Sequence, residues 1–338
     1  MDEPLRHHGD VEARGGLLDF AVNVYDGPRP RWLDAALRAG LDAAGSYPSA
    51  TVAEHAVATH HGRDPDEVLA TAGAAEAFSL LARLCPWRRP VVVHPQFTEP
   101  HGALLQAGHD VTPVVLDEPF ALDPAAVPDD ADLVVVGNPT NPTGVLHPRA
   151  SITALLRPGR LVVVDEAFMD AVPGEPETLA GHRHPGLVVT RSLTKHWGIP
   201  GVRAGYLLGD PAVVADLRRG QVPWSVSSTA IAAMLACCTE DAADESRRRA
   251  AQIDGWRRNL EESLSTTGIR HISSRASFVL ADVGAGVHEA LRAAGVAVRR
   301  ADTFPGLGPQ WVRIAVRPPE RTRSLLDALS VARSDALG

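Results

Sequence analysis

The sequence of 338 residues contains one lysine, Lys195, against 32 arginines. Where a residue has only to be cationic and solvated, Arg serves as well as Lys. The exchange fails where an amine must lose its proton and condense with a carbonyl, because a guanidinium stays protonated and forms no stable imine. Lys195 is therefore a Schiff-base candidate. Around it, "TRSLTKHWGIPGVRAGY" (190–206) supplies a hydroxyl at Ser192 and a guanidinium at Arg203, a pair suited to a phosphate. Thirty residues before the lysine, "VVVDEAF" ends an apolar run on Asp165. Further upstream, "TAGAAEAF" turns through Gly73 into a helix whose first free N–H groups, on Ala74 and Ala75, can hold an anion.

Each feature is ordinary by itself. Gly73 makes a tight strand-to-helix turn, and Asp165 at a strand end caps the helix that follows. Together, an imine-forming amine, a carboxylate and a phosphate cradle are what pyridoxal phosphate requires: a partner for its aldehyde, an anion for its protonated ring nitrogen and an anchor for its phosphate.

The elements that must carry these groups are legible as short apolar runs, "VLATAG", "PVVVHP", "DVTPVVL", "LVVVGNP", "LVVVDEA", "GLVVTRS" and "AGYLLG". They are rich in β-branched residues and do not alternate, which predicts strands buried on both faces. Helical patterns such as "AAEAFSLLARLC" (74–85) lie between them, so the middle of the chain reads as an α/β domain around a mainly parallel seven-stranded sheet. In such sheets ligands bind beyond the carboxyl ends of the strands, where the polar residues above stand. A long amphipathic helix over 245–265 leaves this domain. After it, "ASFVLADV", "VAVRRA" and "QWVRIAV" read as strands of a smaller α+β domain, with helices at "VHEALRAAG" and near 320–332. The expected boundaries are an N-terminal arm over 1–30 that is part of the small domain, a large domain over 31–240, and a linking helix with the small domain over 241–338.

With its motifs in this order, the chain resembles the fold-type I pyridoxal-phosphate enzymes of the class I/II aminotransferase family, from Asn23 to about Arg317. The resemblance implies that Asn141, in "GNPTNPTG", bonds the ring hydroxyl of the cofactor and that Asp165 holds the pyridinium. It implies that Lys195 forms the Schiff base and that Ser192, Arg203, Ala74 and Ala75 hold the phosphate. Phe97 in "HPQFTEP" falls where the family stacks a ring on the cofactor. Tyr47 in "SYPSA" matches a tyrosine that reaches the neighbouring subunit's phosphate, which implies a homodimer with shared active sites. Arg313 in "VRIAVR" matches the arginine that grips a substrate carboxylate, and Asn23 joins it on the substrate side. Arg317 is expected to pair on the surface. Phe168 departs from the family, which often carries a tyrosine there.

Within the family, "DEAFMD", "PWSV", "TFPGL" and "VRIAVR" most resemble the threonine-phosphate decarboxylases of cobalamin biosynthesis, and the early "HHGD" makes His8 a candidate for the substrate phosphate. L-threonine O-3-phosphate decarboxylation is thus the first expectation. Histidinol-phosphate aminotransferase, or another amino-acid aminotransferase, is the alternative.

Composition narrows the remaining classes. A formal charge of −8 argues against nucleic acid as the main partner. No apolar run approaches a membrane span and "MDEPLRHHGD" lacks a signal peptide's features, so the cytoplasm is expected. The three cysteines, Cys85, Cys237 and Cys238, read as packing residues, and the 14 histidines lack metal-site spacing, so no metal is expected. "RRRAAQ" (247–252) reads as a solvated helix face. A dinucleotide-binding oxidoreductase would need a third glycine that "GAGVHE" (284–289) lacks. A sensor that only binds the cofactor would need a read-out module, and none precedes residue 20.

Overall fold

The computed structural model describes residues 3–337. Among the described residues the strands are β1 (Leu18–Phe20), β2 (Val68–Thr71), β3 (Pro90–His94), β4 (Thr112–Val115), β5 (Leu133–Gly137), β6 (Leu161–Asp165), β7 (Leu187–Ser192), β8 (Gly205–Gly209), β9 (Arg270–His271), β10 (Phe278–Asp282), β11 (Val296–Arg300) and β12 (Trp311–Ala315). Seven of them form one sheet in the order β2-β8-β7-β6-β5-β3-β4. All its pairings are parallel except those of β8, which runs antiparallel to both β2 and β7.

The non-alternating apolar runs have a direct structural cause. Successive side chains leave a strand on opposite faces, so a strand covered on both sides must be apolar throughout. In β6, Val162 and Val164 enter one core, with Val134, Val136 and Val189. Leu161 and Val163 enter the opposite core, with Val135, Val188 and Leu207. The run "DVTPVVL" differs from the expectation. Its strand β4 lies at the sheet edge with Val115 exposed, and its Pro113 lacks the N–H that a central strand would need.

The second sheet has the order β1-β11-β12-β10-β9, with β1 parallel to β11 and the other neighbours antiparallel. The two sheets are joined by residues 21–30 and by the helix Glu240–Thr266. That helix begins a turn earlier than its apolar period suggests, because Thr239 caps it by accepting the Ala242 N–H at 3.2 Å, with Glu240 and Asp241 in the first turn. The "RRRAAQ" face is not wholly solvated: Arg247 and Arg248 are exposed, but Arg249 is completely buried. Cys237 is buried and Cys238 partly so, whereas Cys85 is exposed and packs in no core. No helix among the described residues is long and apolar enough to cross a membrane.

Candidate active site

The carboxyl ends of β2, β3, β5, β6 and β7 open on a cavity of about 530 Å³, closed on the far side by β11 and β12 and flanked by the segment His7–Asp10. Lys195, Asp165, Ala74, Ala75, Phe97, Asn141, Ser192, Arg203, Arg313, Asn23 and His8 all line it. Tyr47 does not. It is 79% exposed and stacks on Trp224, ring centroids 4.4 Å apart, outside this cavity. A larger concavity of about 710 Å³ around Arg63 and Arg183 holds none of these residues, and both guanidiniums are already paired with Glu67.

Lys195 sits in a single helical turn, Leu193–His196, that follows β7 directly. Burial, reinforced by the guanidiniums of Arg313 and Arg203, lowers its ammonium to about 8, against the opposing pull of Asp10 and Asp165. Asp165 ends β6, with its Oδ1 accepting the Ala167 N–H at 3.1 Å and the Thr190 hydroxyl at 3.3 Å. The helix-cap role is therefore reduced to one local turn. Burial raises its pKa to about 6 despite those two bonds.

The phosphate-suited groups converge as expected. Ala74 and Ala75 start the nine-residue helix Ala74–Ala82. Gly73 before it has φ +79°, and a Cβ there would stand 2.6 Å from Nη2 of Arg203. The backbone conformation is one that favours glycine, and its lack of a Cβ lets the guanidinium lie close. Ser192 shares a 2.7 Å hydroxyl contact with Thr194, which also lines the cavity and was not singled out from sequence, although the "SLTK" spacing offered it.

The opposite wall is cationic. Arg313 donates to Oδ1 of Asn141 and to the carbonyl of Ala21, both at 2.6 Å. The Asn23 amide, oriented by its surroundings, turns its oxygen to Arg313 and accepts from Nη1 and Nε at 3.1 Å each. Arg299 pairs in register with Arg313 across β11 and β12, so both leave the same face of the sheet. It donates to the His7 carbonyl at 2.6 Å and the Thr303 hydroxyl at 2.7 Å. Sequence alone did not separate Arg299 from Arg300, because only the strand pairing decides which faces inward. Among the described residues neither Arg299 nor Arg313 forms an ion pair with a carboxylate. Burial lowers the pKa of both, Arg299 to about 10 and Arg313 well below the ordinary guanidinium range, helped in Arg313 by Arg299 and Arg317. Since a guanidinium keeps its proton, burial leaves this wall positively charged and suited to an incoming anion.

Two expected roles meet different surroundings. The imidazole Nε2 of His8 is engaged by Glu99 at 2.7 Å. Arg317 is not a surface residue: it is buried and donates to the carbonyls of Asp19, Val22 and Val24, fixing the arm.

A mainly parallel sheet with an imine-competent lysine, a carboxylate and an anion cradle at its strand ends defines a fold-type I enzyme. The family described as aminotransferase class I and II matches residues 16–329, and the chain belongs to it. Enzymes of this family work with pyridoxal 5'-phosphate. The chain is 47% identical over 318 residues, 93% of its own length and 87% of the other's, to a Mycobacterium tuberculosis protein named histidinol-phosphate aminotransferase. It is 30% identical over 332 residues, 93% and 90% of the two chains, to the threonine-phosphate decarboxylase of Salmonella typhimurium. A solved histidinol-phosphate aminotransferase from Clostridium acetobutylicum has the same fold, with a TM-score of 0.87 and 24% identity over 94% of this chain and all of that one.

Proposed function

We propose that this enzyme transfers the amino group of histidinol phosphate to 2-oxoglutarate, with pyridoxal 5'-phosphate seated at the carboxyl ends of the large sheet. The observation that carries this reading is the pair of buried guanidiniums, Arg299 and Arg313, left without carboxylates on the wall of the Lys195 cavity. A transaminase must admit two anionic substrates in turn. Two adjacent forks can share one phosphate and, in the other half-reaction, hold the two carboxylates of glutamate. The 47% identity to a protein named for this reaction moves the reading from decarboxylation to transamination.

The residues present fit the cofactor. Gly73 leaves the space for Arg203 beside the helix start, and the Lys195 ammonium, at about 8, leaves part of the amine neutral near pH 7. When bound, the cofactor supplies an aldehyde and an electron-accepting ring. Ser192, Thr194, Arg203 and the Ala74 and Ala75 amides anchor its phosphate, and Phe97 packs beside the ring. Asp165, whose carboxyl burial raises to about 6, would be held ionised by a cationic ring nitrogen and would in turn keep that nitrogen protonated. The Arg313 bond to Oδ1 of Asn141 leaves the Asn141 amide N–H groups free to donate to the ring oxygen. Phe168, wedged edge-on against Phe278 at 4.9 Å, adds no second donor. Lys195 Nζ would hold the aldehyde covalently and, once freed by the substrate amine, would carry the proton from the substrate Cα to the former aldehyde carbon.

Tyr47 completes the site of a second copy in this reading. With Trp224, Val222, Leu41 and Val52 it supplies exposed apolar surface that a homodimer would cover.

The test is direct. The purified enzyme is given histidinol phosphate with 2-oxoglutarate in one reaction and threonine phosphate in another. Glutamate formation in the first is expected. Carbon dioxide from threonine phosphate, without glutamate from histidinol phosphate, would restore the decarboxylase.

A further inference from the structure

Lys195 sits in a single short turn that is only partly held from within, by Ile199 N–H on the Thr194 carbonyl at 3.0 Å. A four-residue helix completes at most one internal hydrogen bond, and its last carbonyls need partners from elsewhere. The carbonyl of Lys195 accepts the N–H of Tyr25 at 2.9 Å, from the segment that leads out of the small sheet, beside a longer local bond from Gly198 at 3.4 Å. The next carbonyl, that of His196, accepts from Nη1 of Arg249 at 2.8 Å.

Arg249 lies on the helix that returns to the small sheet, and its side chain is fully buried. Its other arm, Nη2, donates to the carbonyl of Pro28 at 2.8 Å, and its Nε to Oε1 of Glu245 at the same distance. The guanidinium carbon stands 4.1 Å from the ring centre of Tyr25 and 5.1 Å from that of Trp197. Tyr25 is itself tied to this helix, donating its hydroxyl to Gln252 at 2.6 Å. One side chain thus joins both passages between the two sheets, at Pro28 and in the helix Glu240–Thr266, to the backbone immediately after Lys195.

We infer that Arg249 is a positioning residue for Lys195, clasping the lysine's turn to the two chain crossings between the sheets so that the amine is held inside the cavity. The planar fork suits the task, because two donors in fixed geometry reach carbonyls on two different segments while the flat cation packs between two aromatic rings. A shorter set of contacts would leave a buried backbone carbonyl without a donor.

This inference rests on the reading of Lys195 as the reactive amine, but its test does not. The test uses the full-length chain before cofactor is added. Because Lys195 is the sole lysine, the pH dependence of its acylation by acetic anhydride, read on its own peptide by mass spectrometry, gives the pKa of one amine. Hydrogen exchange of peptides covering 193–199 reports the turn.

In Arg249→Met the turn should exchange at least about tenfold faster, and the Lys195 titration should rise by roughly one unit as the amine gains water and moves from Arg313 and Arg203. Arg249→Lys keeps the charge but reaches only one carbonyl, so it should fall between. The comparison variant is Arg257→Met. It removes another buried guanidinium of the same helix, whose hydrogen bonds among the described residues go to Asp254 and Glu261, and it should leave both readings at wild type.

Exchange and titration in Arg249→Met that match wild type, or that match Arg257→Met, would overturn the role. If Arg249→Met does not fold, unchanged values in Arg249→Lys overturn it equally. Failure of the proposed function would show elsewhere, as no glutamate from histidinol phosphate and 2-oxoglutarate with the unaltered enzyme.

Discussion

The amine of Lys195 and the carboxylate of Asp165 occupy one cavity but are tuned in opposite ways, burial pulling the ammonium down to about 8 and pushing the carboxyl up to about 6. Lys195→Arg keeps a cation in place and removes the only group able to form the imine. That variant should show no turnover and no cofactor retained after borohydride; a reducible adduct in it would exclude Lys195. Asp165→Asn preserves shape and removes the anion that the proposed function sets against the ring nitrogen. Losing one preorganised electrostatic partner costs about 3 kcal/mol, so kcat should fall by about a hundredfold. A kcat within a few-fold of wild type would leave Asp165 only its bonds to the Ala167 N–H and the Thr190 hydroxyl. Most of these side chains were legible in sequence because the chemistry demands particular residue types at strand ends. Arg299 and Arg249 were not, since a chain that writes nearly every cation as Arg hides which guanidiniums face inward. Strand pairing marks the first, and a contact between residues 221 positions apart marks the second.

The N-terminal segment is the element that flanks the cavity, and its ties are mostly ionic. Thr98 donates to the Leu5 carbonyl at 2.7 Å and His8 meets Glu99, which joins it to the large sheet. Glu12 joins it to the small domain through His288 at 3.3 Å, while Arg292 donates to the Glu12 carbonyl at 2.6 Å and His7 meets Glu12 within the segment at 2.7 Å. Burial by itself would raise the Glu12 carboxyl, but the hydrogen bonds to His288 and His7 prevail and hold it at about 2. Burial would likewise lower His288, and Glu12 raises it instead. A depressed carboxyl contributes stability present above its ordinary value and lost as pH falls through the folded one. A raised imidazole contributes stability present below its ordinary value and lost as pH rises through the folded one. Proteolysis of residues 5–14 should therefore be slowest between those limits and accelerate from pH 4.5 down towards about 2. In Glu12→Gln the acid limb should vanish, and a persistent one would assign the effect to other groups. The large-sheet strands were legible because burial on both faces leaves an unbroken apolar run. The three-residue β1 and two-residue β9 were not, being too short to display any period.

At the scale of the whole molecule, Tyr47 lies exposed outside the cavity, where the proposed function has it serve a second copy. If sites are shared, Lys195→Ala and Tyr47→Ala each damage a different contribution to one site. Mixing the two inactive proteins after mild dissociation should restore about a quarter of wild-type activity, since half the dimers are mixed and each carries one intact site. No recovery, or full activity in Tyr47→Ala alone, would make each subunit self-sufficient.

The placement of β8 also dictates an order of assembly. Strand β2 pairs only with β8, Val68 against Leu208 through Thr71 against Gly205, so the earliest strand of the large sheet waits for the latest. As the chain leaves the ribosome, β3 to β7 can associate side by side while β2 has no neighbour. The Gly73 turn and Arg203 meet only when β8 inserts between β7 and β2. A nascent chain stopped before residue 205 would hold a partial sheet without an anion cradle, and the cradle would be among the last features to form.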